Sequence, residues 1–405
     1  MTTTHGAAAI CPRGSAWEVL VAFFKLGVTS FGGPAAHLGF FRADIVDKRG
    51  WISDEEYADL VALCQFLPGP ASSQVGFALG LHRAGYLGAF AAFVGFTLPS
   101  AALMVALACG ASVFSGMVGV GILKGLVIAA VAIVAHAVLG MARSLTPDAR
   151  RASIAVIAAC LALVFAGAAG QVIAIGCGAL AGLALCRSDA SPAPSVLRFP
   201  VGRTGGVLAL VVFAGLLCGL PALAHASNNG GVSIADAFYR AGALVFGGGH
   251  VVLPLLESGV VGPGWVSESE YLAGYGAAQA VPGPLFTLAA YLGAVAGMGP
   301  GGVAGAALAL AAIFAPGFLL LIAALPAWDR FRTLVWAQSA MRGANAAVVG
   351  ILTAALYSPV FTTAITGVGP FCLALACFVL LHSWKLPPWS VVVCGAAGGL
   401  LLQAL

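Results

Sequence analysis

Residues 65–73 read Gln-Phe-Leu-Pro-Gly-Pro-Ala-Ser-Ser, and residues 279–287 read Gln-Ala-Val-Pro-Gly-Pro-Leu-Phe-Thr. The two stretches share a glutamine that precedes a Pro-Gly-Pro motif by the same distance. The match continues upstream at constant spacing, where Trp51, Ser53, Glu56 and Tyr57 correspond to Trp265, Ser267, Glu270 and Tyr271. Chance does not produce such an ordered series. The chain therefore consists of two homologous halves.

The match also extends further outwards in both directions. Upstream, Phe31-Gly32-Gly33 recurs as Phe246-Gly247-Gly248, and downstream Lys124-Gly125 recurs as Arg342-Gly343. We assign residues 1–15 to an N-terminal tail, 16–186 to the first repeat and 233–405 to the second repeat. Residues 187–232 form a linker that includes one transmembrane helix.

The composition predicts an integral membrane protein. Of the 405 residues, 61% are hydrophobic and 8% are charged, whereas an ordinary soluble domain has about 25% charged residues. Continuous apolar runs, such as 85–108 and 301–327, reach the ~20 residues that a membrane-spanning helix needs. Helices are favoured over a barrel because the runs do not alternate between polar and apolar residues.

Two classes of function are not favoured by the composition. The net charge of +4 is too small, and its residues too scattered, to predict nucleic-acid binding. The ten cysteines show neither Cys-x-x-Cys pairs nor the spacing of a metal site, so we expect no metal and no cofactor.

The basic residues predict that the two halves have opposite orientations in the membrane. In the first half they cluster in connections such as the one from Arg143 to Arg151, whereas in the second half they lie at Arg330, Arg332 and Lys385, which are not equivalent positions. Positively charged connections face the cytoplasm. The predicted fold is therefore all-α, an inverted-topology repeat with helices broken at glycine and proline, which is typical of transporters.

The Pro-Gly-Pro motifs are the natural tips of hairpins that enter the membrane and return, since proline lacks a backbone donor and glycine permits a sharp turn. The Phe-Gly-Gly motifs could form a second pair of tips, although the segment before Gly33 could also cross the membrane once. The returning half-helix would point its free N–H groups into the protein, where they can bind an anion. Candidate binding residues at the tips are Gly69 and Gly283, with Gly32, Gly33, Gly247 and Gly248.

Hydroxyl groups follow both Pro-Gly-Pro motifs. Ser72, Ser73 and Thr287 could donate hydrogen bonds to an oxyanion, or they could cap the half-helices. Gln65 and Gln279, which precede the motifs, are added to the candidate binding residues. Elsewhere, Ser53 and Ser267 each stand three residues before a glutamate, which predicts a capped helix N-terminus.

Four basic residues lie within or near apolar segments and form two symmetry-related pairs, Lys25 with Arg240 and Lys124 with Arg342. An intramembrane charge is costly unless it serves a site, so both pairs are candidates for binding a dianion at the midplane. The alternative is that their side chains extend to the membrane interface. His37 and His250 follow the two Gly-Gly motifs and are candidates for proton coupling, or are simply packed residues.

Taken together, the motifs resemble those of a known family. The series Phe31-Gly32-Gly33-Pro34, Gly50-Trp51, Glu56-Tyr57, Gln65 and Pro68-Gly69-Pro70, with its copy ending in Pro282-Gly283-Pro284, resembles the chromate ion transporter family over nearly the whole chain. The resemblance implies a bacterial or archaeal inner-membrane protein with two halves of opposite topology. It also implies export of chromate and resistance to it.

The function expected is therefore secondary transport of chromate out of the cytoplasm. The alternative is a transporter of sulfate or another oxyanion, since chromate and sulfate have the same shape. An enzyme is not expected, because the apolar segments lack a nucleophile with a base, a carboxylate pair or metal ligands. The expected partners are the oxyanion and membrane lipid, with a homodimer as an open arrangement and no nucleic acid.

Overall fold

The computed structural model describes residues 14–30, 33–110, 117–165, 168–186, 199–227, 229–245, 251–328 and 334–404. Within these ranges all regular structure is helical, which confirms the all-α fold. Five of the described helices are long and apolar enough to cross a membrane. The proline- and glycine-rich segments between them interrupt helices without starting strands.

The first half contains seven helices in the described ranges. The second helix continues into a π-helical turn, Arg42–Lys48. The seven are α1 (Ala16–Thr29), α2 (Gly33–Phe41), α3 (Asp54–Phe66), α4 (Ala71–Cys109), α5 (Met117–Leu145), α6 (Ala149–Val164) and α7 (Ala168–Leu185).

The second half repeats this order after one connecting helix, α8 (Arg203–Ala226). Its helices are α9 (Gly230–Ala243), α10 (Val252–Leu256), α11 (Glu268–Ala280), α12 (Leu288–Val295), α13 (Gly302–Ala324), α14 (Val335–Ala355), α15 (Val368–His382) and α16 (Pro388–Ala404). A π-helical turn, Glu257–Val261, follows α10 as the turn at Arg42–Lys48 follows α2. The duplicated sequence therefore folds into duplicated elements.

Helix α4 is two helices joined at a kink. Ala84 and Gly85 leave the helical conformation there, and Gly85 has a φ of +65°, a value that glycine adopts without a steric penalty. The second half breaks at the corresponding place, between α12 and α13.

Each half also contains short helices of 13 or 14 residues, such as α1 and α3. At about 20 Å they are shorter than a ~30 Å hydrocarbon core. That these helices enter and leave the membrane on the same side stays a prediction.

The predicted N-terminal caps are confirmed. The Ser53 hydroxyl accepts the backbone N–H of Glu56, whose carboxylate in turn accepts the N–H of Ser53. Ser267 and Glu270 form the same reciprocal pair at the start of α11. These two capping boxes fix the entrance of the helix that leads to each Pro-Gly-Pro motif.

Helices of each half pack directly against helices of the other half. Helix α5 packs against α15 and α16 of the second half, whereas α14 packs against α6 and α7 of the first. Glycines allow this close approach, because a Cβ on Gly343 would lie 2.0 Å from the carbonyl oxygen of Gly178, and one on Gly125 would lie 2.2 Å from that of Gly395. Small residues of this kind are the usual basis of helix association in membranes.

Gly182→Ala should destabilise the protein, because its Cβ would lie 2.4 Å from the carbonyl oxygen of Ser339 on α14. We expect a loss of about 1–3 kcal/mol, as for other overpacked contacts. The measurement is the thermal unfolding temperature of the detergent-purified protein. Gly176→Ala is the matched control on the same helix, since nothing lies within 4 Å of its Cβ position. Equal unfolding temperatures for the two variants would contradict the swapped packing.

Candidate functional site

Each Pro-Gly-Pro tip is bound to the opposite half by a backbone hydrogen bond. The N–H of Gly69 donates to the carbonyl of Val245 at 2.7 Å, and the N–H of Gly283 donates to the carbonyl of Ser30 at 2.9 Å. Ser30 and Val245 occupy equivalent positions just beyond the ends of α1 and α9. The two tips therefore hold the halves together by a reciprocal pair of bonds.

Both tips also pack against a proline-containing stretch of the opposite half. A Cβ on Gly69 would lie 3.0 Å from the Cα of Gly317, which follows Pro316 of α13, and one on Gly283 would lie 2.8 Å from the Ser100 hydroxyl on α4. Both glycines have a positive φ, +126° for Gly69 and +104° for Gly283. Each tip therefore requires a glycine for two reasons: the turn needs a positive φ, and the close approach leaves no room for a Cβ.

A set of buried polar side chains surrounds this contact on the side of the first half. We call it the central polar cluster, and it consists of Ser30, His37, Ser72, Ser73, Thr97 and Ser100. The His37 Nδ1 lies 3.4 Å from the Ser72 hydroxyl, and the imidazole packs edge-on against Phe96. The Ser100 hydroxyl donates to the Thr97 carbonyl at 3.0 Å.

Several polar atoms of the cluster have no hydrogen-bond partner among the described residues, namely Ser30 Oγ, Ser73 Oγ and Thr97 Oγ1. Buried polar atoms in folded proteins are normally paired, so each exception calls for a ligand or an ordered water. The first turn of α4 adds to these donors, since its N-cap, Pro70, supplies no side-chain hydrogen bond. The arrangement offers hydroxyl, imidazole and helix N-terminal N–H groups to an oxygen-rich anion.

Three positions around the second tip are apolar where the matched positions of the first half are polar. Ser30, Gln74 and Thr97 correspond in the repeat to Val245, Leu288 and Phe314. Thr287, which corresponds to Ser73, uses its hydroxyl to close a turn on the Pro284 carbonyl at 2.8 Å. Among the described residues, polar side chains at these three positions are therefore a feature of the first half, although the backbone is duplicated.

The free N–H groups predicted at the tips belong to the first turn of the returning helix. The N–H groups of Gly69 and Gly283 themselves are bonded to carbonyls across the interface, and a part for these two glycines in anion binding stays a prediction. A helix that is broken among apolar side chains must have its free backbone groups paired. Gly33 has a φ of +81° at the start of α2, whereas Gly32, Gly247, Gly248 and His250 lie outside the described residues.

Lys124 and Arg342 were expected together at midplane depth, and the structure separates them. Lys124 lines a cavity of about 790 Å³ with Glu270 and donates to Gln403 at 2.7 Å. Arg342 lines a different cavity at the far end of α5, about 30 Å away along that helix, and lies 3.5 Å from the Cys186 carbonyl. Both residues occupy the second turn of equivalent helices, and those helices begin at opposite ends of the molecule.

The other pair of basic residues is also away from the cluster. Lys25 has 57% of its side chain exposed and lies 3.9 Å from Asp44, and Arg240 forms a 2.6 Å ion pair with Asp236 on its own helix. Gln65 is exposed, whereas Gln279 is half-buried and its Nε2 has no partner among the described residues.

Sequence reasoning missed Ser30, Gln74, Thr97 and Ser100. The signal that could have found them was the repeat itself, because each is polar where the matched position of the second half is apolar or glycine. Serine and threonine are otherwise common in membrane helices, where they bond to the carbonyl one turn before them.

Comparisons with known proteins agree on one family. A family model described as chromate transporter matches residues 17–183 and again residues 232–400. The chromate transport protein of Pseudomonas aeruginosa is 29% identical over 411 residues, covering 96% of this chain and 92% of that protein. A probable chromate transport protein of Synechococcus elongatus is 27% identical and covers 96% of both chains. The chromate transport protein of Cupriavidus metallidurans is 26% identical and covers 98% of this chain and 95% of that one. No solved structure matches.

Gln74→Leu should loosen the first tip. The Gln74 amide nitrogen donates to the Pro68 carbonyl at 3.0 Å and to the Gly317 carbonyl at 2.9 Å, and leucine would leave both carbonyls without this donor. We expect a loss of about 1–3 kcal/mol, measured by thermal unfolding. Gln65→Leu, which changes an exposed glutamine, is the control. A Gln74→Leu protein as stable as the control would show that the tip does not depend on this side chain.

Proposed function

The chain belongs to the chromate transporter family, and from this premise we propose that it exports chromate from the cytoplasm through the central polar cluster. The relatives are named as transport proteins, which suggests a transporter rather than an enzyme. The apolar helices make it a multi-pass membrane protein, and we place it in the bacterial inner membrane. The observation that carries the proposal is the set of buried, unpaired donors beside the Pro-Gly-Pro tips.

The cluster suits a tetrahedral dianion because it offers donors from several directions without a fixed cation. The hydroxyls of Ser72 and Ser73, the imidazole of His37 and the N-terminal turn of α4 can each meet a different oxygen of the ion. Hydrogen bonds to a charged partner contribute about 1.5–3 kcal/mol each, and the helix N-terminus adds a favourable dipole.

We also propose the glycines of the Phe-Gly-Gly motifs as backbone groups that bind the transported anion. They are Gly32, Gly33, Gly247 and Gly248.

The membrane potential supports the proposed direction of transport. With the inside negative, moving a charge outwards gains about 2.3 kcal/mol per 100 mV, so a dianion gains about 5 kcal/mol. Export of chromate, and hence resistance to it, needs no further energy source. We propose His37 as the residue that would couple transport to protons, since its buried imidazole touches the Ser72 hydroxyl.

Uptake or exchange of sulfate is the second candidate, because the cluster recognises shape and charge that sulfate and chromate share. Uptake of a dianion must overcome the membrane potential and would require co-transported cations. The two candidates are separated by transport in inside-out vesicles with radiolabelled chromate and sulfate. Accumulation of chromate without an added cation gradient supports export, whereas sulfate transport that depends on such a gradient in right-side-out vesicles supports uptake.

Ser73→Ala should weaken chromate transport. The Ser73 hydroxyl is buried and unpaired, so its removal costs little stability but deletes one donor to the dianion, and we expect apparent affinity to fall by about tenfold or more. The measurement is the concentration dependence of uptake into inside-out vesicles, normalised to the protein in the membrane.

Ser153→Ala is the matched control, because the Ser153 hydroxyl is exposed and bonds only to the Ala149 carbonyl of its own helix. It should retain the affinity of the unchanged protein. Unchanged affinity in both Ser73→Ala and Ser72→Ala would remove the cluster from the transport path.

A further inference from the structure

A second cavity, far from the central polar cluster, is lined by arginines. It has a volume of about 410 Å³ and lies where α6 begins, α7 ends and α14 passes. Its charged residues are Asp148, Arg150, Arg151 and Arg342. Neither the family nor the transport proposal gives this cavity a role.

Two of the three arginines, Arg150 and Arg342, have no described carboxylate to balance their positive charge. Asp148 caps α6 by accepting the backbone N–H of Arg151 at 3.0 Å and also accepts from the Arg151 Nε at 2.5 Å. The backbone and guanidinium of Arg151 thereby hold the pKa of Asp148 below its usual range. Asp148 thus stays ionised and neutralises Arg151, and no described carboxylate lies within ion-pair distance of Arg150 or Arg342.

The contacts that these two arginines do make leave donors free. Arg150 donates from Nη1 to the Leu185 carbonyl at 3.2 Å, and the Arg342 Nη1 lies 3.5 Å from the Cys186 carbonyl. Each guanidinium has five N–H donors in a fixed plane. Most of these donors are therefore available to a ligand in the cavity between them.

The repeat shows that the packing does not require the arginines. At the symmetry-related place, Lys124 of α5 takes the position of Arg342 and contacts α16, the last helix of the second half. There the first turn of α15, which corresponds to that of α6, reads Val-Gly-Pro. The same helix arrangement thus exists without the two arginines of α6. Their presence on one face only matches the positive charge expected of a cytoplasmic connection, and since the packing does not need them, their side chains are free to bind a ligand.

We propose that the cavity between α6, α7 and α14 is an anion-binding site for a dianionic tetrahedral group, held by Arg150 and Arg342. Guanidinium groups bind such oxygens in pairs, with both geometric fit and charge. The group could belong to a free oxyanion such as sulfate or to the phosphate of a lipid headgroup. The proposal concerns binding alone, and it holds whether or not the central polar cluster carries the transported ion.

Arginine labelling with phenylglyoxal tests the proposal on the full chain in nanodiscs of phosphatidylcholine. Labelling rates at individual arginines are read by peptide mass spectrometry, with and without saturating sulfate. We expect sulfate to slow the labelling of Arg342 and Arg150 by about tenfold, as one charge-assisted bond would. Arg143 is the internal control, because it lies in the last turn of α5 but does not line the cavity.

A second arm distinguishes the two sources of the anion. In nanodiscs that contain an anionic phospholipid, protection of Arg342 before sulfate is added identifies a lipid headgroup as the ligand. Protection that appears only with sulfate identifies a free oxyanion. Labelling rates of Arg342 and Arg150 that neither sulfate nor the anionic lipid lowers relative to Arg143 would overturn the proposal and leave the arginines as caps of the α7 carboxyl end.

Three variants separate this site from the central polar cluster. Arg150→Gln should abolish the protection of Arg342, whereas Arg143→Gln, which removes the same charge nearby, should preserve it. Ser73→Ala should also preserve it, even where it weakens transport. Loss of protection in Ser73→Ala would show that the cavity is not an independent site.

Discussion

The reciprocal hydrogen bonds of the two Pro-Gly-Pro tips are the constraint from which the rest of the structure follows. A helix that is broken within an apolar protein exposes backbone groups that lipid cannot satisfy. Here the Gly69 N–H finds the Val245 carbonyl and the Gly283 N–H finds the Ser30 carbonyl. Each half thus supplies the acceptor for the tip of the other, and the two tips join the halves. The centre of the molecule, where a passage for an ion would lie, is consequently an interface between repeats.

The two halves share a backbone arrangement but differ in the side chains around their tips. The first half places Ser30, Gln74 and Thr97 around its tip, whereas the second half places Val245, Leu288 and Phe314 at the matched positions. Duplication supplies two equivalent frameworks for alternating access, in which one half moves against the other. The second copy fills its matched positions with packed apolar side chains, as the stacked rings of Phe314 and Phe318 show.

The sequence predicted the features that arise from local patterns, and it missed the positions of side chains that depend on packing between the two halves. Proline and glycine located both tips, and the serine–glutamate spacing predicted both capping boxes, because these features arise within a few residues. The position of Lys124 and Arg342 could not be deduced in this way. Each residue is placed by the last helix of the opposite half, and Gln403 and Cys186 lie far from them in the chain. A spacing between basic residues says nothing about which helices pack together.

The distribution of charge also fits a protein that must release its ligand. A fixed cation beside a dianion in a medium of low dielectric would bind it strongly, whereas conduction or transport requires binding weak enough for departure. The described part of the central polar cluster has hydroxyls, an imidazole and a helix terminus, which carry partial charges or, for the imidazole, a positive charge that is lost when its proton leaves. The full charges of Lys124 and Arg342 lie in cavities at opposite ends of α5. There they can concentrate anions from the surrounding water without holding the ion at the centre.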